Sequence, residues 1–134
     1  MDVPNVCHVK LKDLTSVFSV ISELELAVLV GSRAIGTDCP GSDWDFAVQW
    51  VYGLGFMEQL AATEKLRKHL SLVLPADMEA IDLIDLPTAR LAMKALVAEE
   101  GVILHGADTL AWCHFLQRTW RELEETYWEE IYAA

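Results

Sequence analysis

A chain of 134 residues, 53% of them apolar, has material for one real core. That excludes a disordered chain and a pair of typical-sized domains, and implies a single domain over 1–134. Its 21 acidic and 10 basic side chains leave a formal net charge of -11. So acidic a surface repels a phosphate backbone, and direct nucleic-acid binding is not expected; a basic partner, bound cations or plain solubility all suit it better.

The first expected element is a helix over Leu11–Leu24. Leu14, Val17, Phe18 and Ile21 recur at helical spacing, with Thr15, Ser16, Ser19 and Ser22 on the other side. Ala27–Val30 is a short apolar run stopped by Gly31, a buried strand that ends in a turn. Residues 37–42 hold Gly, Pro, Asp and Ser and read as loop. Over Asp43–Val51 the residues alternate. Trp44, Phe46 and Val48 point one way, and Asp43, Asp45, Ala47 and Gln49 the other.

A helix over Phe56–Leu74 follows, with Leu60, Leu66 and Leu70 apolar and Pro75 ending it. Met78–Ile84 reads as a third strand, and the apolar flanks of Asp82 argue that it is mostly buried, where an unpaired charge is costly. Asp85 falls on the opposite face and reads as a loop or cap residue. Thr88–Glu100 is a helix closed by Gly101, Val102–His105 a short edge strand, and residues 108–132 a long aromatic-rich helix. This order predicts an α/β (α+β) domain, a small mixed sheet with helices packed on it.

Three cysteines, Cys7, Cys39 and Cys113, form no C-x-x-C pair and point to neither a disulfide framework nor a zinc site. His8, His69, His105 and His114 lack metal-ligand spacing and are read as surface or packing residues; Asp38 is read as a turn acid. Met1–Lys12 is polar and does not read as a signal peptide, and no apolar run nears the ~20 residues of a membrane span. A soluble cytoplasmic protein with reduced thiols is expected.

Chemistry concentrates between Gly31 and Val48. A strand ending in Gly31-Ser32 exposes backbone N–H groups in a concave anion site. Gly31 and Gly36 allow close approach of a phosphate, and the Ser32 hydroxyl adds a donor. Asp43 and Asp45 lie two apart on a strand, so their carboxylates share a face. At ~4 Å two like charges repel by roughly 4 kcal/mol at an effective dielectric of 20, so such a pair calls for water or a cation. Hard oxygen ligands select magnesium or manganese, and Asp82 from a neighbouring strand would complete a two-metal site. A phosphate cradle beside carboxylates is machinery for phosphoryl or nucleotidyl transfer.

These residues resemble the nucleotidyltransferase superfamily that includes DNA polymerase beta. Its signature is Gly-Ser, ten residues, then Asp-x-Asp, and Gly31-Ser32, residues 33–42 and Asp43-Trp44-Asp45 keep that spacing. Asp82-Leu83-Ile84-Asp85-Leu86 is similar to the family context of the third carboxylate, with Asp82 at the matching position. Nearly the whole chain before the last helix resembles the minimal nucleotidyltransferases (MNT) that serve as antitoxins beside HEPN toxins. The segment Glu100–His105 after the third carboxylate is part of that likeness.

The resemblance implies ATP as donor and transfer of AMP onto a tyrosine hydroxyl of a cognate HEPN ribonuclease toxin. It implies Asp43, Asp45 and Asp82 as catalytic metal ligands for two magnesium ions, and Gly31, Ser32, Arg33 and Ser42 as nucleotide-binding residues. The chain departs from the family at Ile35, where members often carry a basic residue; Arg33 is retained and would meet the triphosphate. Two other readings stay open: an antitoxin that masks its toxin without catalysis, and a transferase acting on a small molecule. Trp112, Phe115, Trp120, Tyr127, Trp128 and Tyr132 are divided in this reading between core packing and docking of a partner.

Overall fold

A computed structural model of the protein describes residues 5–6, 9–37 and 41–133. Cys7, His8, Asp38 and Cys39 lie outside the described residues. The chain runs β1 (Asn5–Val6), β2 (Val9–Lys10), α1 (Leu11–Ser19), β3 (Leu24–Val30), α2 (Ser32–Ile35), β4 (Trp44–Trp50), α3 (Phe56–Val73), β5 (Ile81–Asp85), α4 (Leu91–Glu100), β6 (Val102–His105) and α5 (Leu110–Ala133). β1 and β2 form a small antiparallel pair. The main sheet has the order β5-β4-β3-β6. β3 is antiparallel to both neighbours, and β4 and β5 run parallel. The mixed sheet with packed helices is therefore as expected.

Apolar side chains cover both faces of the central strands. On one face Leu24, Ala27 and Leu29 of β3 join Trp44, Phe46, Val48 and Trp50 of β4, with Leu14 and Phe18 of α1 and Leu66 and Leu70 of α3. On the other, Leu26, Val28, Val30 and Ala47 meet Val97 of α4 and Trp112 and Phe115 of α5. The alternation expected for β4 is thus real, but its second face is covered as well.

Several boundaries differ from expectation; the strand read over Asp43–Val51 spans Trp44–Trp50, which leaves Asp43 outside it. The helix read over Leu11–Leu24 stops at Ser19, and Leu24 opens β3. Two tight turns, Ile21 N–H to the Phe18 carbonyl and Leu24 N–H to the Ile21 carbonyl, separate them. The register then shifts between Leu24 and Leu26, a bulge that puts Leu24 on the face of Ala27 and Leu29. Sheet pairing of Leu24 with Trp50 outcompetes a locally acceptable helical pattern.

The third strand begins at Ile81, because Met78–Ala80 forms a 3-10 turn. Leu86–Thr88 forms another, so α4 starts at Leu91. Asp85 ends β5 at the N-cap position of that turn, but its side chain caps no backbone N–H; the carboxylate instead accepts a 2.7 Å hydrogen bond from the Thr88 hydroxyl. The last helix starts at Leu110, behind a turn in which Thr109 donates to the Gly106 carbonyl at 2.6 Å.

Gly101 does follow α4, but with ordinary extended angles, φ -67 and ψ 144. It is glycine for want of room: a Cβ would strike the Val28 side chain and the Val97 carbonyl.

Candidate active site

Three strand ends meet at one end of the sheet. β3 runs antiparallel to β4, so its last residue, Val30, pairs with Asp45 near the start of β4. β5 runs parallel to β4, so Asp82 also pairs with Asp45. Asp45 is therefore central, with the Gly31-Ser32 turn on one side and Asp82 on the other. Asp43 lies just before β4 rather than in the strand expected to hold it, close enough for its charge to act on Asp45. The topology gathers the carboxylates expected from sequence and sets the Gly-Ser turn beside them.

Gly31 has φ 79 and ψ -162, a region essentially restricted to glycine. A Cβ there would lie 2.7 Å from Oδ2 of Asp45. The glycine thus serves the turn and also lets a carboxylate come close to the backbone. Its carbonyl accepts the Ala34 N–H at 3.0 Å, opening the single turn of α2. Gly36, left-handed at φ 79 and ψ 15, closes that turn, with the Thr37 N–H on the Ser32 carbonyl.

Burial pushes the Asp45 carboxyl above its ordinary value of 3.8, and the negative charges of Asp82 and Asp43 push it in the same direction. Asp45 is half-buried, whereas Asp43 and Asp82 are exposed. This corrects the expectation of a mostly buried Asp82. β5 is an edge strand, and its first acid faces solvent, so the desolvation argument belongs to Asp45.

Asp43 and Asp82 line a cleft of about 420 Å³ with Arg67, Met78, Glu79 and Ile81. Arg67, on α3, forms an ion pair with Glu64 and donates through Nε to the Ile81 carbonyl at 3.4 Å. Sequence reasoning missed Arg67, Met78 and Glu79. Only the packing of α3 along β5 brings Arg67 there, and no local pattern signals it. A roomier hollow of about 610 Å³ between α1 and α3 lies away from the carboxylates, with Asp13 and His69 as its titratable lining.

Arg33 departs from expectation. Instead of reaching outward to a phosphate, its side chain is only 6% exposed. Nε and Nη2 donate to the Ser42 carbonyl at 3.1 and 2.6 Å, and the guanidinium lies 4.3 Å above the Trp44 ring. A desolvated guanidinium needs such acceptors and an aromatic face. Arg33 ties α2 to the residue before Asp43, and Ser42 takes part through its carbonyl.

The family described as "Polymerase beta, Nucleotidyltransferase" matches residues 12–110, a span that holds the Gly-Ser turn and all three carboxylates. This chain belongs to that family.

Solved structures share the nucleotidyltransferase's fold. A chain of a toxin–antitoxin complex with AMP-PNP superposes with a TM-score of 0.67 at 23% identity, covering 92% of this chain and 94% of that one. A chain of a variant MntA-HpeT toxin–antitoxin complex gives a TM-score of 0.64 at 26% identity, over 91% of each chain. A third belongs to the complex of tri-AMPylated Shewanella oneidensis HEPN toxin with MNT antitoxin. It gives 0.58 at 21% identity, over 92% of this chain and 91% of that one. These neighbours agree with the resemblance to MNT antitoxins read from the motif. No curated protein matches the chain.

Among the described residues, no three Asp, Glu, His or Cys side chains are already drawn into a cluster tight enough to hold a metal. The donor set nevertheless fits magnesium. It is made of hard oxygens, and although burial is the main cause that raises the Asp45 carboxyl, the charges of Asp82 and Asp43 add repulsion that a cation would relieve. No helix among the described residues is long and apolar enough to cross a membrane.

Proposed function

We propose that this nucleotidyltransferase is a cytoplasmic antitoxin that transfers AMP from ATP to a tyrosine hydroxyl of a cognate HEPN toxin. The observation that carries the reading is Asp45, held between the Gly31-Ser32 turn and Asp82 by the pairing of three strands. A toxin–antitoxin complex with AMP-PNP and one with a tri-AMPylated toxin, among proteins of the same fold, support the choice of nucleotide and acceptor.

In this mechanism the ATP phosphates rest on the Gly31-Ser32 turn, where glycine permits close approach and the Ser32 hydroxyl donates. Arg33 holds the loop through Ser42 and so braces the approach to Asp43, just ahead of β4. Asp43, Asp45 and Asp82 would hold magnesium, which when bound offsets the charge of the phosphates. Asp82, exposed beside the cleft, is open to a hydroxyl presented by another protein and accepts its proton. The acceptor oxygen attacks the α-phosphorus in line. The new O–P bond forms as the α–β bridging bond breaks, and pyrophosphate leaves with the bond's electrons.

The test is intact-mass analysis of the toxin encoded beside this chain, after incubation with the protein, ATP and magnesium. Increments of one AMP are expected, and none with Asp43→Ala/Asp45→Ala. Toxin neutralised without any mass gain would replace catalysis with masking.

A further inference from the structure

The 24-residue helix α5 spends only its first half on the core. Trp112, Phe115 and Thr119 are its buried residues, and from Tyr127 to Ala133 every residue is exposed. At 3.6 residues per turn, Trp120, Tyr127 and Ile131 fall on one line, about a third of a turn away from the buried line. Trp128 and Tyr132 extend that stripe sideways. Trp128 lies 5.8 Å from Tyr127 and 5.6 Å from Tyr132 between ring centroids, so the rings form one continuous apolar surface. Tyr132 is 78% exposed and Trp128 46%. The domain covers Trp120 and Trp128 only in part and leaves Tyr127 and Tyr132 mostly bare.

Charge identifies the occupant. Residues 122–133 carry Glu122, Glu124, Glu125, Glu129 and Glu130 and no Lys or Arg. A second copy would bring the same five glutamates and a further net charge of -11 against them. Nucleic acid is repelled for the same reason.

We propose that the outer half of α5 docks a partner protein whose surface is basic and carries an apolar groove. The aromatic rings fill the groove, and the glutamates meet its rim. This surface is separate from the carboxylate site, and docking needs no nucleotide, so its failure and the failure of AMP transfer are distinct outcomes.

The probe is a synthetic amphipathic peptide of about 20 residues with a leucine stripe flanked by lysines, titrated calorimetrically into the full chain without ATP. The same peptide with glutamates for lysines is the control. The basic peptide is expected to bind, and to lose at least about tenfold in affinity both with Trp128→Ser/Tyr132→Ser and with Glu124→Gln/Glu125→Gln/Glu129→Gln/Glu130→Gln. Leu72→Ser, which changes an exposed apolar residue on α3, should leave binding unchanged. Failure of the basic peptide to bind overturns the proposal, as does equal binding of the acidic peptide or indifference of the α5 variants. A dimer in sedimentation that Trp128→Ser abolishes would make a second copy the occupant and overturn the basic partner. Circular dichroism checks that the variants stay folded.

Discussion

Asp45 bears the conflict between stability and function in this site. Its carboxyl is half-buried, faces two other acids across short strand spacings, and abuts a glycine. A carboxyl whose folded value is raised contributes most to stability below its ordinary 3.8. That contribution is lost as pH rises through the raised value. Asp45→Asn cannot ionise and should therefore melt higher than wild type at neutral pH without divalent ions. The gap should close as pH falls below 3.8, and thermal melts across that range check it. A gap independent of pH would point to packing rather than charge. Gly31→Ala tests the other side of the contact. The substitution forces a Cβ toward Asp45 Oδ2 at a positive φ, and a loss of about 1–3 kcal/mol in chemical denaturation is expected, together with loss of AMP transfer.

At the scale of elements, α5 divides into a structural and an exposed half. Phe115 and Trp112 stack at 5.2 Å under the sheet, while Trp128 stacks on Tyr132 in solvent. Phe115→Ala should cost about 3–5 kcal/mol of stability, and Trp128→Ala within about 0.5 kcal/mol of nothing, in urea denaturation of both variants. Equal costs would mean that the outer half packs on the domain. The sequence left these aromatics divided between core and partner, and no periodicity told which of them stay exposed. The α1–β3 junction shows the converse. Leu14, Phe18 and Ile21 keep a helical rhythm, yet Leu24 is drawn into the ladder by Trp50, a residue 26 positions later.

For the whole molecule, the Gly-Ser spacing to Asp-x-Asp, the third carboxylate, the mixed sheet and nearly every element were legible in the chain. They depend on short-range features: strand alternation, a glycine after an apolar run, a proline after a helix. Strand spacing was expected to put Asp43 and Asp45 on one face, whereas the strand begins only at Trp44 and leaves Asp43 just outside it. What remained hidden was relational. Arg67 entered the cleft because α3 packs along β5, Arg33 turned onto Ser42 and Trp44, and Asp82 is exposed, as Asp43 is, because β5 took the sheet edge. Burial is a sum over partners distant in sequence, whereas spacing is a property of neighbours. The sequence therefore named the candidate groups, and only the packed sheet decided which of them is desolvated, which braces the loop, and which helix face stays exposed.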